Sequence, residues 1–186
     1  AVGSDFTVGA TLGNYQSHTN GWAYSTVTCF VAGTQISTAH GLIKVEDLRP
    51  GMKVLTANGQ TKALRLCISS TVDTLQLAFN PKLRPVRISA GSLGLGLPTV
   101  DLLVSRQHRM LVRSPIVRRM FDCDEVLIAA NKLTSIPGIY VDTSIETVTY
   151  YHLIFDKHEV VFAEGAASES FLIGPEAIKS MSPASL

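Results

Sequence analysis

The stretch Cys29-Phe30-Val31-Ala32-Gly33-Thr34-Gln35-Ile36-Ser37-Thr38 is followed closely by Gly41-Leu42-Ile43-Lys44-Val45-Glu46-Asp47-Leu48-Arg49-Pro50-Gly51-Met52-Lys53-Val54-Leu55-Thr56, and it decides how this chain reads. A cysteine opens a short β-branched run that ends in a small polar turn. The same grammar continues downstream. Phe30-Val31, Lys53 to Thr56, Leu64 to Ile68, Thr74 to Leu77, Val86 to Ile88, Asp101 to Val104, Met110 to Val112, Val126 to Ile128, Ile139 to Val141 and Thr147 to Phe155 are short strand-like runs divided by turn residues. The Asn58-Gly59 pair is a type I′ hairpin signal. Helix is scarce, with one turn expected at Val45 to Leu48, stopped by Pro50-Gly51, and another at Ala129 to Leu133. The fold class is therefore all-β. Gly91 to Pro98 reads as a flexible surface loop whose leucines tuck inward.

The 186 residues suit one domain with short appendages, and 46% hydrophobic against 17% charged residues supplies a full core. A net charge of +1 with mixed signs argues against nucleic-acid binding. The arginines between Arg113 and Arg119 are interrupted by Ser114-Pro115-Ile116-Val117 and read as a solvated face. No apolar run is long enough to span a membrane, and no signal-peptide pattern is visible.

Three cysteines at wide spacing do not form a disulfide framework, and nothing has zinc-ligand spacing. Cys67, between Leu66 and Ile68, reads as a small buried hydrophobe, and Cys123 lies between two aspartates that disfavour its thiolate. Only Cys29 stands where chemistry is expected. It is the first residue of the ordered module, downstream of a Gly-, Ser-, Thr- and Asn-rich segment in which Trp22 to Thr28 runs extended. A thiol there can attack the carbonyl of Thr28, the residue to which it is joined. Such an attack needs a thiolate, a donor for the developing oxyanion and an acid for the leaving nitrogen. The product is a thioester in place of the amide, with proximity built in because nucleophile and leaving group share one residue. Ser105-Arg106-Gln107-His108, a corner between two apolar strands, offers an imidazole as the acid and a hydroxyl to orient it or the carbonyl.

The Cys29 block, the Ser105-to-His108 block and the late run Tyr150-Tyr151-His152-Leu153-Ile154-Phe155-Asp156-Lys157-His158-Glu159-Val160-Val161-Phe162-Ala163-Glu164-Gly165 together resemble the Hint superfamily, the autoprocessing domains of Hedgehog proteins and inteins. The bacterial Hint-type domain at the ends of large secreted or surface proteins looks most similar. The resemblance covers about residues 29–175, with 1–28 as the upstream flank and 176–186 as a tail. It implies a compact, horseshoe-like all-β fold with pseudo-twofold halves and very little helix. It also implies that Cys29 is the first nucleophile, that Ser105 replaces a threonine, and that His108 is the histidine of its block. His152 falls where inteins often carry an aspartate beside the nucleophile. His158 falls where they carry a late histidine, or else at a charged hairpin tip.

The chain departs from the intein pattern at its end, where Ala167-Ser168-Glu169-Ser170-Phe171 carries no His-Asn pair and the last asparagine is Asn131. Full splicing is not expected. What remains is thioester formation at Thr28–Cys29, resolved by water or by an amine, alcohol or thiol acceptor. The partner is the upstream polypeptide in cis, with no cofactor and a monomeric state. Asp101, Asp142 and Asp156 are candidates to activate a hydroxyl acceptor. A secreted or cell-surface location follows only from the resemblance. Two other readings compete: a non-catalytic structural or secretion-associated Hint module, and a cysteine hydrolase acting in trans with a Cys29–His108 dyad. A Thr28 carbonyl pointing at the Ser105–His108 corner would favour the chain as its own substrate.

Overall fold

The computed structural model describes residues 28–113, 122 and 124–171. Trp22 to Val27, Cys123, the arginine run beyond Arg113 and the tail 176–186 lie outside those residues. Fourteen strands, one α-helix and three 3-10 turns make up the described elements. The strands are β1 (Phe30–Val31), β2 (Gln35–Thr38), β3 (Gly41–Lys44), β4 (Lys53–Leu55), β5 (Thr61–Ala63), β6 (Leu66–Val72), β7 (Val86–Ile88), β8 (Leu102–Val104), β9 (Arg109–Arg113), β10 (Glu125–Ala129), β11 (Ile139–Val141), β12 (Val148–Ile154), β13 (Val160–Ala163) and β14 (Ala166–Glu169). Single 3-10 turns at Val45–Asp47 and Ala130–Lys132 stand where the short helical turns were expected.

One sheet runs β11-β7-β8-β1-β12-β6; the other runs β10-β9-β14-β13-β2-β4-β5, with β3 added alongside β2. The longest pairing joins β12 to β6 over seven residues, from Val148 opposite Val72 to Ile154 opposite Leu66. Alternation along the strands sends one side chain set inward: Ile36, Val54, Val86, Ile88, Leu102, Val104, Met110, Leu153 and Val161 are all buried in one continuous core with Phe30. A smaller cluster gathers Cys29 with Val72, Leu77, Val148 and Tyr150.

Thr74 to Leu77 is not a strand. It is the start of a helix, α1 (Thr74–Phe79). The Asp73 carboxylate accepts the Gln76 N–H at 2.8 Å, and Gln76 Oε1 accepts the Asp73 N–H at 2.9 Å. This reciprocal capping box outweighs the alternation of Thr, Leu, Gln and Leu. The helix seats Leu77 in the Cys29 cluster and turns Leu75 and Phe79 to solvent.

The Asn58-Gly59 turn also differs from expectation. A type I′ turn needs positive φ at both residues, and only Gly59 has it, at 77°. Thr56 N–H bonds the Gln60 carbonyl, while Asn58 Oδ1 accepts from the Thr56 hydroxyl and the Gln60 N–H. The β4–β5 connection is thus a three-residue loop that Asn58 braces from within. The loop from Gly91 to Pro98 is likewise internally bonded, Gly91 N–H to Pro98 O and Leu93 N–H to Leu97 O. Leu93 and Leu97 pack on the core as expected, whereas Leu95 is fully exposed. Cys67 is half-buried at the core's edge, its thiol 3.5 Å from the Val45 carbonyl.

Leu77→Ala removes a buried leucine from beneath Cys29 and is expected to cost about 2–5 kcal/mol in urea unfolding. Leu75→Ala, two residues away on the solvent face, is expected to stay within about 0.5 kcal/mol of the native protein.

Candidate active site

Strand register builds the site. Phe30 pairs with Val104 on one side and with Tyr151 on the other. The next antiparallel pairs therefore set Cys29 opposite Ser105 and opposite His152. The Ser105 N–H donates to the Cys29 carbonyl at 3.0 Å, continuing the β1–β8 ladder. The Cys29 N–H donates in return to Ser105 Oγ at 3.1 Å.

The thiol is 3% exposed. Its Sγ lies 3.4 Å from His152 Nδ1 and 3.5 Å from Nε2, and Ser105 supplies a hydrogen bond as well. Burial pushes the Cys29 thiol up to about 12, and the Ser105 hydroxyl offsets only part of that rise. His152 Nδ1 also lies 3.1 Å from the Thr28 carbonyl oxygen. A carbonyl only accepts, so this nitrogen carries the proton and Nε2 presents a lone pair beside the thiol. Burial lowers the pKa of His152, with the Thr28 carbonyl opposing, so the ring is neutral at pH 7. Phe171 packs on that ring with centroids 5.4 Å apart, held there by its N–H bond to the Leu153 carbonyl.

His108 is fully buried, edge-on to Phe30 at 4.4 Å. Its Nδ1 is 3.0 Å from the carbonyl of Cys29, on the far side of the nucleophile from Thr28. Among the described residues its Nε2 has no hydrogen-bond partner. Burial lowers its pKa to about 4, although nearby Glu169 and the Cys29 carbonyl pull upward. Two expectations change here. The contact to the Cys29 nitrogen is made by the Ser105 hydroxyl, not by the imidazole of His108. The Thr28 carbonyl faces His152 rather than the Ser105–His108 corner.

His158 does not touch Cys29 in any bond among the described residues. Its Nε2 is 3.1 Å from Glu169 Oε2, and Glu169 is the site residue that the sequence reading missed. Glu169 is buried at the end of β14, opposite Arg109, and its Oε1 accepts the Thr28 hydroxyl at 3.0 Å. Burial alone would raise its pKa. The hydrogen bonds from His158 and Arg109 outweigh burial and hold it at about 2. Its only sequence signal is an acid inside an otherwise small and apolar late strand. Asp101 and Asp142 are tied to Arg87, and Asp156 to Arg65, so these three carboxylates are committed to ion pairs. No group of three or more His, Cys, Asp or Glu among the described residues is arranged to hold a metal.

The Hint domain family matches residues 28–175. The chain belongs to that family. Its all-β Hint fold has very little helix, in line with the reading of the sequence. No curated protein matches the chain significantly. Similar solved structures include a bacterial intein-like domain from Clostridium thermocellum (14% identity, 76% of this chain and 97% of that one, TM-score 0.47). Another is the Ssp DnaB mini-intein variant M86 (10% identity, 79% and 97%, TM-score 0.49). A third is a DnaB intein from Synechocystis sp. PCC 6803 (10% identity, 78% and 99%, TM-score 0.47). No helix among the described residues of this Hint domain is long and apolar enough to cross a membrane.

The buried groups set the response to acid. An unfolded chain protonates His108 near 6.5, while the folded one resists until about 4. The unfolded state then binds more protons, so stability is complete above that window and falls as pH drops through it. The shift corresponds to roughly 3 kcal/mol. Glu169 has the same sign lower down: its contribution is complete above about 4.5 and is lost as pH falls toward about 2. Urea midpoints at pH 7, 5.5 and 4.5 should therefore decline steadily. In His108→Gln the decline should be shallower, with the remainder carried in part by His152, whose shift has the same direction.

Proposed function

We propose that this Hint domain cleaves its own Thr28–Cys29 bond through a thioester, and that His152 starts the reaction. The observation that carries this reading is one ring meeting both partners of the attack, Sγ at 3.4 and 3.5 Å and the Thr28 carbonyl oxygen at 3.1 Å. A thiol pushed up to about 12 does not ionise unaided at neutral pH. The neutral His152 Nε2 takes its proton as Sγ bonds to the Thr28 carbonyl carbon. The imidazolium so formed keeps Nδ1–H against the oxygen that is turning negative, so base and oxyanion donor are one side chain.

When the carbon–nitrogen bond breaks, the Cys29 nitrogen becomes an amine. The Ser105 hydroxyl already touches that nitrogen and the thiol. It is placed to relay a proton as its acceptor role reverses. The His152 imidazolium gives back the proton it took from sulfur as Ser105 passes its own to the nitrogen, so ring and hydroxyl end as they began. The proton lost by sulfur ends on nitrogen, and the amide is exchanged for a thioester. His108, held neutral by burial, serves as a positioning group: its Nδ1–H fixes the Cys29 carbonyl and with it the direction of the thiol. An outside nucleophile, water or a small thiol, amine or alcohol, then releases the segment ending in Thr28. The domain so defined spans about 29–175, with 1–28 as substrate flank. The depth of the thiol supports a reaction in cis over a hydrolase acting on other chains. The raised thiol alone would suit a non-catalytic module, but that reading leaves the double contact of His152 without purpose.

The test is a precursor with a folded tag before Ala1, incubated with and without dithiothreitol and weighed intact. Native protein is expected to break between Thr28 and Cys29, faster with the thiol, and Cys29→Ala not at all. His152→Ala should slow the break by roughly a hundredfold or more, and Ser105→Ala by roughly tenfold. A native precursor that stays whole under every thiol and pH condition would remove the catalytic reading.

A further inference from the structure

The attack on the Thr28 carbonyl uses nothing of the Thr28 side chain, yet that side chain is gripped. Its hydroxyl donates to Glu169 Oε1 at 3.0 Å. Glu169 is 2% exposed, so each of its acceptor sites matters. The same Oε1 takes the Arg109 backbone N–H at 3.0 Å. Oε2 takes the Arg109 guanidinium, with Nε at 2.7 Å and Nη2 at 2.5 Å, and His158 Nε2 at 3.1 Å. Each carboxylate oxygen offers about two lone-pair sites, and on Oε1 the Arg109 N–H takes one of them. Arg109 neutralises the group and His158 helps to hold it; the hydroxyl of Thr28 takes the second site on Oε1.

We infer that Glu169 is a specificity residue, reading a hydroxyl on the residue immediately before Cys29 and favouring upstream segments that end in threonine or serine. Valine has nearly the shape of threonine but sets a methyl group against a buried carboxylate oxygen, leaving one of the two acceptor sites on Oε1 unfilled in a dry site. An acid at that position meets a like charge. The Arg109 guanidinium is occupied by the same carboxylate, so it is not free to receive that acid. The effect on rate rests on the cleavage proposed above; the contact itself does not.

The tagged precursor is made as Thr28→Ser and Thr28→Val, each with Glu169 or Glu169→Gln, and cleavage is followed with dithiothreitol. With Glu169 present, Thr28→Val is expected to cleave roughly ten- to a hundredfold more slowly than Thr28→Ser. In Glu169→Gln the gap between the two should narrow to a few-fold or less. Equal rates for Ser and Val on native Glu169 overturn the inference even if Glu169→Gln fails to fold. The same substitutions in Cys29→Ala, which cannot form the thioester, give urea midpoints independent of chemistry. Thr28→Val should lie below Thr28→Ser, by less when Glu169 is absent; identical midpoints overturn the contact. A precursor that never cleaves but keeps this difference discards the catalytic proposal and leaves Glu169 as a reader of Thr28.

Discussion

The site depends on the position of one residue, Phe30, paired to Val104 on its left and Tyr151 on its right. Cys29 meets Ser105 and His152 because they are the next rungs of those two ladders. A slip of one residue in either pairing would turn the thiol to the opposite face and part it from one partner. The burial of Phe30 in the main core makes such a slip costly. The edge contact of its ring with His108 ties that imidazole to the same anchor. Packing of an ordinary apolar side chain thus sets the geometry of polar groups that have little freedom of their own.

Burial then sorts the polar groups by charge. His108, His152 and the Cys29 thiol are all pushed toward their neutral forms. Glu169, nearly as deep, is pushed toward its charged form because Arg109 and His158 bond it directly. One carboxylate, paired with Arg109, therefore stands behind a set of groups that burial holds neutral. A reaction that moves a proton from sulfur to imidazole in such surroundings creates its charges where donors already wait, which is the economical arrangement for a low-dielectric site.

Much of this was legible in the sequence, for reasons that can be traced. Short β-branched runs between turn residues announced the sheets, and the placement of Cys29 at a module's first strand announced the thiol. The Thr74 to Leu77 run was misread because period-two alternation over four residues is weaker than an Asp73–Gln76 capping box. Asn58-Gly59 was misread because the Asn58 side chain bonds its own loop and keeps a conformation that the dipeptide rule does not anticipate. The division of labour around Cys29 was out of reach, since it depends on which rung lies beside which: His108 precedes β9 and reaches the Cys29 carbonyl, while His152 takes the thiol. Glu169 was invisible for the same reason, as no spacing rule joins a residue on β14 to one on β9 or to Thr28.

The span between Thr28 and Glu169 has a consequence for how the protein is made. The two are 141 positions apart, and His152 and Phe171 also come late. A ribosome delivers the N-terminal side first. The thiol therefore emerges long before the imidazole of His152, the carboxylate and the aromatic ring that will surround it. At ordinary elongation rates the interval is on the order of ten seconds. For that time the upstream segment can fold beside a cysteine that has no machinery around it. Chain order alone thus acts as a clock, holding the assembly of the site until nearly the whole domain has been translated.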